Sequence, residues 1–270
     1  MVHIQIKRYL VRKYPRFSKY IPDRYYPYRF AGGRIFLNIR ESQMMFERSL
    51  GLYETEKMEV VSAYLKPGMT FVDVGANKGD FTLVAAKRVG SFGRVVSFEP
   101  EPSNCYWLRR SIGKNGYSNI ELIEAAAGET DGEAVLYLGE KSGWHSLRPH
   151  PLLCEGTTKV SQIRLDSLSE SGRIGKIDMI KVDVEGAEIE VLRGGWRTLS
   201  SNPDIVLLMD IHPQRGVDPR RVVALLADMR YDIYEMKIPH RRICHVEDNL
   251  REVMAVHRDN ARLAGELCAS

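Results

Sequence analysis

Asp73, Gly75 and Gly79 in TFVDVGANKGDFTLVAAKRV (70–89), followed by Glu99 in SFEPEPSN (97–104), are the residues best placed to do chemistry. An apolar run ends at Asp73, turns through the two glycines and enters a helical pattern. A second β-branched run then ends at Glu99. Two neighbouring strands with acidic tips and a glycine turn between them suit a cofactor with ribose hydroxyls, an amino-acid tail and no phosphate. S-adenosylmethionine has that constitution, and its use would mean methyl transfer.

The glycine spacing argues against the nearest competing cofactors. A dinucleotide site needs G-x-G-x-x-G, but with Gly75 first, the second and third positions are Asn77 and Asp80. Asp80 would also set a negative charge against a pyrophosphate. No G-K-[ST] follows for a P-loop. Glu99 lies 24 residues beyond Gly75, near the distance at which an acidic residue meets a ribose diol. The third strand, IELIEAAAG, ends in small residues, and Ala126 among them would leave room for an adenine ring.

A second dense region is KIDMIKVDVEGAEIEVLRGG (176–195). Ile177, Met179, Ile180 and Val182 read as a buried strand with Lys181 and Asp183 at its carboxyl end. Val184-Glu185-Gly186 then turns into a helix bearing Glu188. PDIVLLMDIHP (203–213) ends in Asp210 and His212, which strand alternation sets on one side. Adjacent strand tips would bring Asp183, Glu185 and His212 together as the catalytic group. Methyl transfer to a hydroxyl needs alignment and removal of a proton, and Asp183 or His212 is the expected general base. Asp183, Asp210 and His212 also have the chemistry to hold a divalent ion, although nothing in the sequence indicates one.

The elements that must position these groups alternate. Strands are expected at 70–74, 94–99, 120–125, 177–182, 204–210, 231–237 and 252–257, with helices at 79–89, 102–115, 186–199 and 218–229. This is an α/β pattern, a doubly wound and mostly parallel sheet. The last two strands have no helix between them, so they should pair antiparallel at one edge. EAVLYL and TKVSQIRL read as strands flanking an irregular loop, SGWHSLRPHPLLCEG. Upstream, RIFLNI reads as a strand and 41–65 as helical pieces broken near Gly51. Residues 1 to about 30 should be irregular because Pro15, Pro22 and Pro27 interrupt them.

Composition is that of a soluble globular protein, with 44% apolar and 27% charged residues. No secretory signal or membrane-spanning run is expected. Four scattered cysteines without CxxC spacing suit reduced thiols and a cytoplasmic location. The net charge of +4 is uneven: residues 1–40 hold ten Lys or Arg against Asp23 alone, together with six tyrosines. Such an arm has the chemistry for peripheral contact with an anionic membrane, a phosphorylated substrate or nucleic acid. The expected division is a basic extension over 1–50, a catalytic domain over 51–260 and a tail over 261–270.

VDVGANKGDFTL, FEPEP and IKVDVEGAEIEVLRGG, in this order and spacing, together with Gly51-Leu52-Tyr53-Glu54, resemble the FkbM family of S-adenosylmethionine-dependent methyltransferases. The resemblance runs from about Leu52 to about Tyr234. It implies a class I, Rossmann-like methyltransferase domain that methylates a hydroxyl of a sugar, glycan or secondary metabolite. By matching motif, Glu54, Asp73, Gly75, Asn77, Gly79 and Glu99 would line the cofactor pocket. Asp183, Glu185 and Glu188 would lie at the active cleft, with Ser146 of GWHSL facing the substrate. Lys78 and Asp80 are charged where the family often has apolar or aromatic residues. Asp210 stands where a glutamate is common.

Two other functions compete. A nucleic-acid methyltransferase would use the basic arm, but DVEG occupies the place where methylation of a base amino group needs [DNS]-P-P-[YF]. A non-catalytic cofactor-fold binding protein would not need both acidic strand tips.

Overall fold

The computed structural model describes residues 2–151, 155–260 and 263. Most of the 261–270 tail, and Cys154 and Cys268, lie outside the described residues. The chain opens with α1 (Val2–Phe17), the hairpin β1 (Tyr26–Phe30) and β2 (Gly33–Leu37), α2 (Gln43–Ser49) and α3 (Thr55–Tyr64). Alternation then begins with β3 (Thr70–Val74), α4 (Asp80–Val89), β4 (Arg94–Phe98), α5 (Pro102–Asn115) and β5 (Ile120–Ile123). Next come β6 (Ala126–Ala127), β7 (Gly132–Tyr137), β8 (Thr157–Ile163), α6 (Leu165–Glu170) and β9 (Met179–Val182). The remainder is α7 (Glu188–Gly194), α8 (Trp196–Ser200), β10 (Val206–Asp210), α9 (Pro219–Asp228), β11 (Tyr231–Tyr234) and β12 (Glu252–His257).

Seven strands form one sheet in the order β11-β12-β10-β9-β3-β4-β5. Neighbours from β10 to β5 run parallel, while β12 is antiparallel to both β10 and β11. The expected antiparallel pair is therefore β11 and β12, with the reversed strand one place in from the edge. This order is that of class I methyltransferases. The chain winds outward from β3 to β5 and then returns to β9 and β10, so the crevice at the switch point opens over the carboxyl ends of β3 and β9.

Strand alternation divides the core into two layers. Phe71 packs with Leu65 and Val84 on one face, whereas Val72 and Val74 meet Ile180 and Leu207 on the other. Each such fully buried side chain contributes about 1.5–3 kcal/mol. β6, β7 and β8 form a separate sheet, and residues 142–147, after β7, line the crevice.

Two expectations are corrected. Residues 1–30 are not irregular: α1 covers Val2–Phe17 and β1 begins at Tyr26. Pro15 falls in the last turn of α1, where it removes only one helical hydrogen bond. Buried Tyr14 fastens that turn by donating to the Ile39 and Arg40 carbonyls and stacking on Phe46. The helix foreseen at 186–199 is two helices, α7 and α8, meeting at Gly195.

Candidate active site

The glycine turn is built from backbone. Gly75 has φ +83, and a Cβ there would strike the Asp183 carbonyl, so β3 and the turn after β9 close against each other only through glycine. The Gly75 and Ala76 N–H groups donate to the Phe98 carbonyl. The Glu99 carboxylate accepts from the N–H groups of Asn77 (2.7 Å) and Glu101 (2.9 Å) and from the Asn104 amide (3.2 Å). Glu101, not Glu99, caps α5, accepting from Ser103 and Asn104. Glu99 is thus released from capping and faces the cavity. Burial raises its pKa against the pull of these hydrogen bonds.

The adjoining wall is built from titratable side chains. Lys181 pairs with Asp73 across β9 and β3. Its ammonium lies 3.5 Å from Asp73 and 3.4 Å from Asp183 and donates to the Gly75 carbonyl. His212 Nδ1 hydrogen-bonds Glu188 at 2.5 Å, which directs Nε2 toward Asp183 and Glu185, each 3.6 Å away. Burial lowers the imidazole, but the Glu188 hydrogen bond and the carboxylates of Asp183 and Glu185 outweigh it and raise His212 to about 9. Asp183 moves oppositely: burial would raise it, but Lys181, His212 and Lys57 hold it at about 2. Glu185 is raised to about 7 by burial and by Asp183, against the pull of His212 and Arg215.

Three of the five non-glycine residues with positive φ among the described residues are Glu54 (+45), Asn77 (+51) and Glu185 (+51). Such conformations cost about 1–3 kcal/mol and persist where the surroundings enforce them. At Glu185 the enforcing contact is the buried Ser146 hydroxyl, which donates to the Glu185 carbonyl at 2.7 Å.

Gly75, Asn77, Glu99, Ala126, Asp183 and Glu185 line one cavity, together with Ser146. Asp73, Gly79, Glu54 and His212 are not on its wall. Asp73 is fully buried on the Phe71 face of β3, under α4, where it accepts from Thr82 and faces Lys181. Gly79 lets α4 approach Leu108 of α5. Glu54 belongs with Asp210 to the surroundings of Lys57, whose ammonium lies 3.2 Å from Glu54 and 2.7 Å from Asp210. Burial and Asp183 raise Asp210 to about 7 against that pull. His212 stands behind Asp183 and Glu185.

Lys57 thus pairs with Asp210, while His212 faces Asp183 and Glu185. Among the described residues two sets of donors could hold a cation, Asp183 with Glu185 and His212, and Asp183 with Glu54 and Asp210, the atoms of each set lying within 4.8 Å of one another. Sequence reasoning gave no role to Lys57, Arg48, Asn104, Lys181 or Arg215. Strand alternation could have found Lys181, since it shares a face with Asp73. Nothing local marks the others.

The strand order and the two-sided crevice define a class I methyltransferase. The methyltransferase FkbM domain matches residues 73–233, more than half of the sequence, and the chain belongs to the FkbM methyltransferase family. It is 32% identical over 166 residues to hexuronic acid methyltransferase AglP of Haloferax volcanii, covering 58% of this chain and 61% of that one. It is 31% identical over 142 residues to methyltransferase 1 of Beauveria bassiana, covering 46% and 57%. With 2-O-methyltransferase NoeI of Sinorhizobium fredii it shares 28% over 161 residues, covering 53% and 63%. The match thus spans less than two-thirds of each relative's length.

Proposed function

We propose that the protein is an S-adenosylmethionine-dependent O-methyltransferase acting on a hydroxyl of a sugar, glycan or other small metabolite. The observation that carries this reading is the sharing of one cavity by the Gly75–Glu99 wall and the Asp183–Glu185 wall. Family membership supports it, as do relatives whose names specify a hexuronic acid and a 2-O position.

The residues present fit the cofactor. The carboxylates of Glu99, Asp183 and Glu185 all line the cavity, a negative setting suited to sulfonium and ammonium charges. Ala125–Ala127 leave width for a flat base beside Glu99. When bound, the cofactor supplies an electrophilic methyl group. Glu99, already oriented by two backbone N–H groups, accepts the ribose hydroxyls. Glu185 takes the proton of the acceptor hydroxyl, because its carboxylate lines the cavity and burial beside Asp183 raises its pKa. His212 lies off the cavity wall with its pKa raised by the Glu188 hydrogen bond and by Asp183 and Glu185, which suits holding Asp183 and Glu185 toward the cleft. Asp73 and Lys181 support the glycine turn from beneath.

Methyl-labelled cofactor incubated with a panel of glycosides tests this reading. Label should appear on a hydroxyl oxygen, and a cofactor-binding protein that labels no hydroxyl in the panel would contradict it.

No described helix is long and apolar enough to cross a membrane. We infer that α1 instead rests on an anionic bilayer. It carries Lys7, Arg8, Arg12, Lys13 and Arg16 with no acidic residue, and Ile4, Ile6 and Tyr9 are each about half exposed. Sedimentation with phosphatidylserine vesicles, weakened by salt and by R12E with K13E, is the expected result. Equal recovery with neutral vesicles would contradict it.

A further inference from the structure

Arg48 is the most unusual buried group outside the motifs. It lies in the last turn of α2, upstream of the residues matched to the family. The residue is 5% exposed, yet it lines the cavity. Its guanidinium stands 4.3 Å over the Tyr53 ring and donates from Nη1 to Asn77 Oδ1 at 3.0 Å. Nε makes no hydrogen bond. The nearest acid, Asp80, lies 3.4 Å from Nε, and neither of its carboxylate oxygens, both buried, makes a hydrogen bond. Burial raises the Asp80 pKa against the pull of Arg48.

A buried guanidinium with an unused donor is costly. Asp80 offsets its charge from the Nε side without closing a hydrogen bond, and the guanidinium presents five donors in a plane suited to a bidentate carboxylate. Tyr53 and Asn77 fix its orientation, so little conformational freedom remains to be lost on binding. Asn77 is also the residue whose N–H holds Glu99, which couples the guanidinium to the glycine turn.

We propose that Arg48 anchors a ligand carboxylate in this cavity, with Asp80 as its counter-ion. Resting on the methyl-transfer reading, two ligands there would bring a carboxylate: the amino-acid tail of the cofactor, or an acceptor that is a uronic acid. The position of Arg48 beside Asn77 and Asp80, at the turn into α4, favours the cofactor tail. An Arg in this role gives the site a means to distinguish the intact cofactor from nucleosides that lack the tail.

Calorimetry with S-adenosylhomocysteine and with 5′-methylthioadenosine, which lacks the carboxylate, reads this directly. R48Q should weaken the first by about 10- to 100-fold and leave the second unchanged, which also reports that the variant is folded. R48Q paired with D80N removes both charges and should give the same pattern if R48Q alone is unstable. Arg48→Lys, which keeps the charge and loses the fork, should fall between. Unchanged S-adenosylhomocysteine affinity, with selective loss of methyl glucuronide over methyl glucoside, assigns the anchor to the acceptor instead. Equal losses for ligands with and without a carboxylate, or no loss in either pair, overturn the proposal. Wild-type protein that binds neither nucleoside overturns the underlying cofactor reading.

Discussion

The two walls of the cavity are held by different physics. The Gly75–Glu99 wall rests on backbone: N–H groups of Asn77 and Glu101 fix the carboxylate, and glycine permits the close approach. The Asp183–Glu185 wall rests on a mutually dependent set of charges, in which Lys181, His212 and Arg215 offset the carboxylates. A wall built from backbone presents one fixed hydrogen-bonding surface, as a constant cofactor requires. A wall built from coupled charges can shift proton affinities by several units, as proton removal requires.

Breaking the charged wall at its centre should have the largest effect. Lys181→Met leaves Asp73 and Asp183 without their buried partner, and urea unfolding should show a loss of about 3–5 kcal/mol. Next is Glu185→Gln. It should lower kcat by about 100-fold or more while calorimetric affinity for S-adenosylhomocysteine stays unchanged. A parallel loss of affinity would show that the walls are not separable.

Acidity gives a third test. Glu185 acts as a base only when ionised, so the rate should rise with pH through about 7, and E185Q should lose that limb. His212 has its folded-state pKa raised from 6.5 to about 9. Its contribution to stability is therefore full below about 6.5 and lost as pH rises through about 9. Thermal melts of His212→Gln should lack that alkaline decline. A chelator should leave the rate unchanged, since Lys181, His212 and Arg215 already neutralise the wall. Loss restored by a divalent ion would assign Asp183, Glu185 and His212 to metal binding. Smallest is Ser146→Ala, which frees the strained Glu185 backbone at a cost of about 0.5–1.5 kcal/mol and should lower kcat more than it raises KM.

The backbone wall was the more legible in sequence. β3, β4 and β9 are short apolar runs bounded by turn residues, and their tips follow directly from where the runs end. The antiparallel pairing of β11 with β12 was readable because no helix separates them. Asp73 was placed at the strand tip, but alternation puts it on the Phe71 face beneath α4, a distinction that needs the register against Lys181. Reading α1 as irregular gave too much weight to Pro15, because the anchoring of Tyr14 by Ile39 and Arg40 depends on the fold. The charged wall was legible in its acids and not in its bases. Lys57 reaches Asp210 across 153 positions in sequence, and no local pattern announces such a pairing.

The central claim is that one cavity holds the cofactor on one wall and removes an acceptor proton from the other. Mass spectrometry of glycosides incubated with methyl-labelled S-adenosylmethionine and either wild-type protein or E185Q tests it most directly. The account predicts a labelled O-methyl product with the wild type and almost none with E185Q, although both bind the cofactor equally. Equal labelling by the two proteins would contradict it.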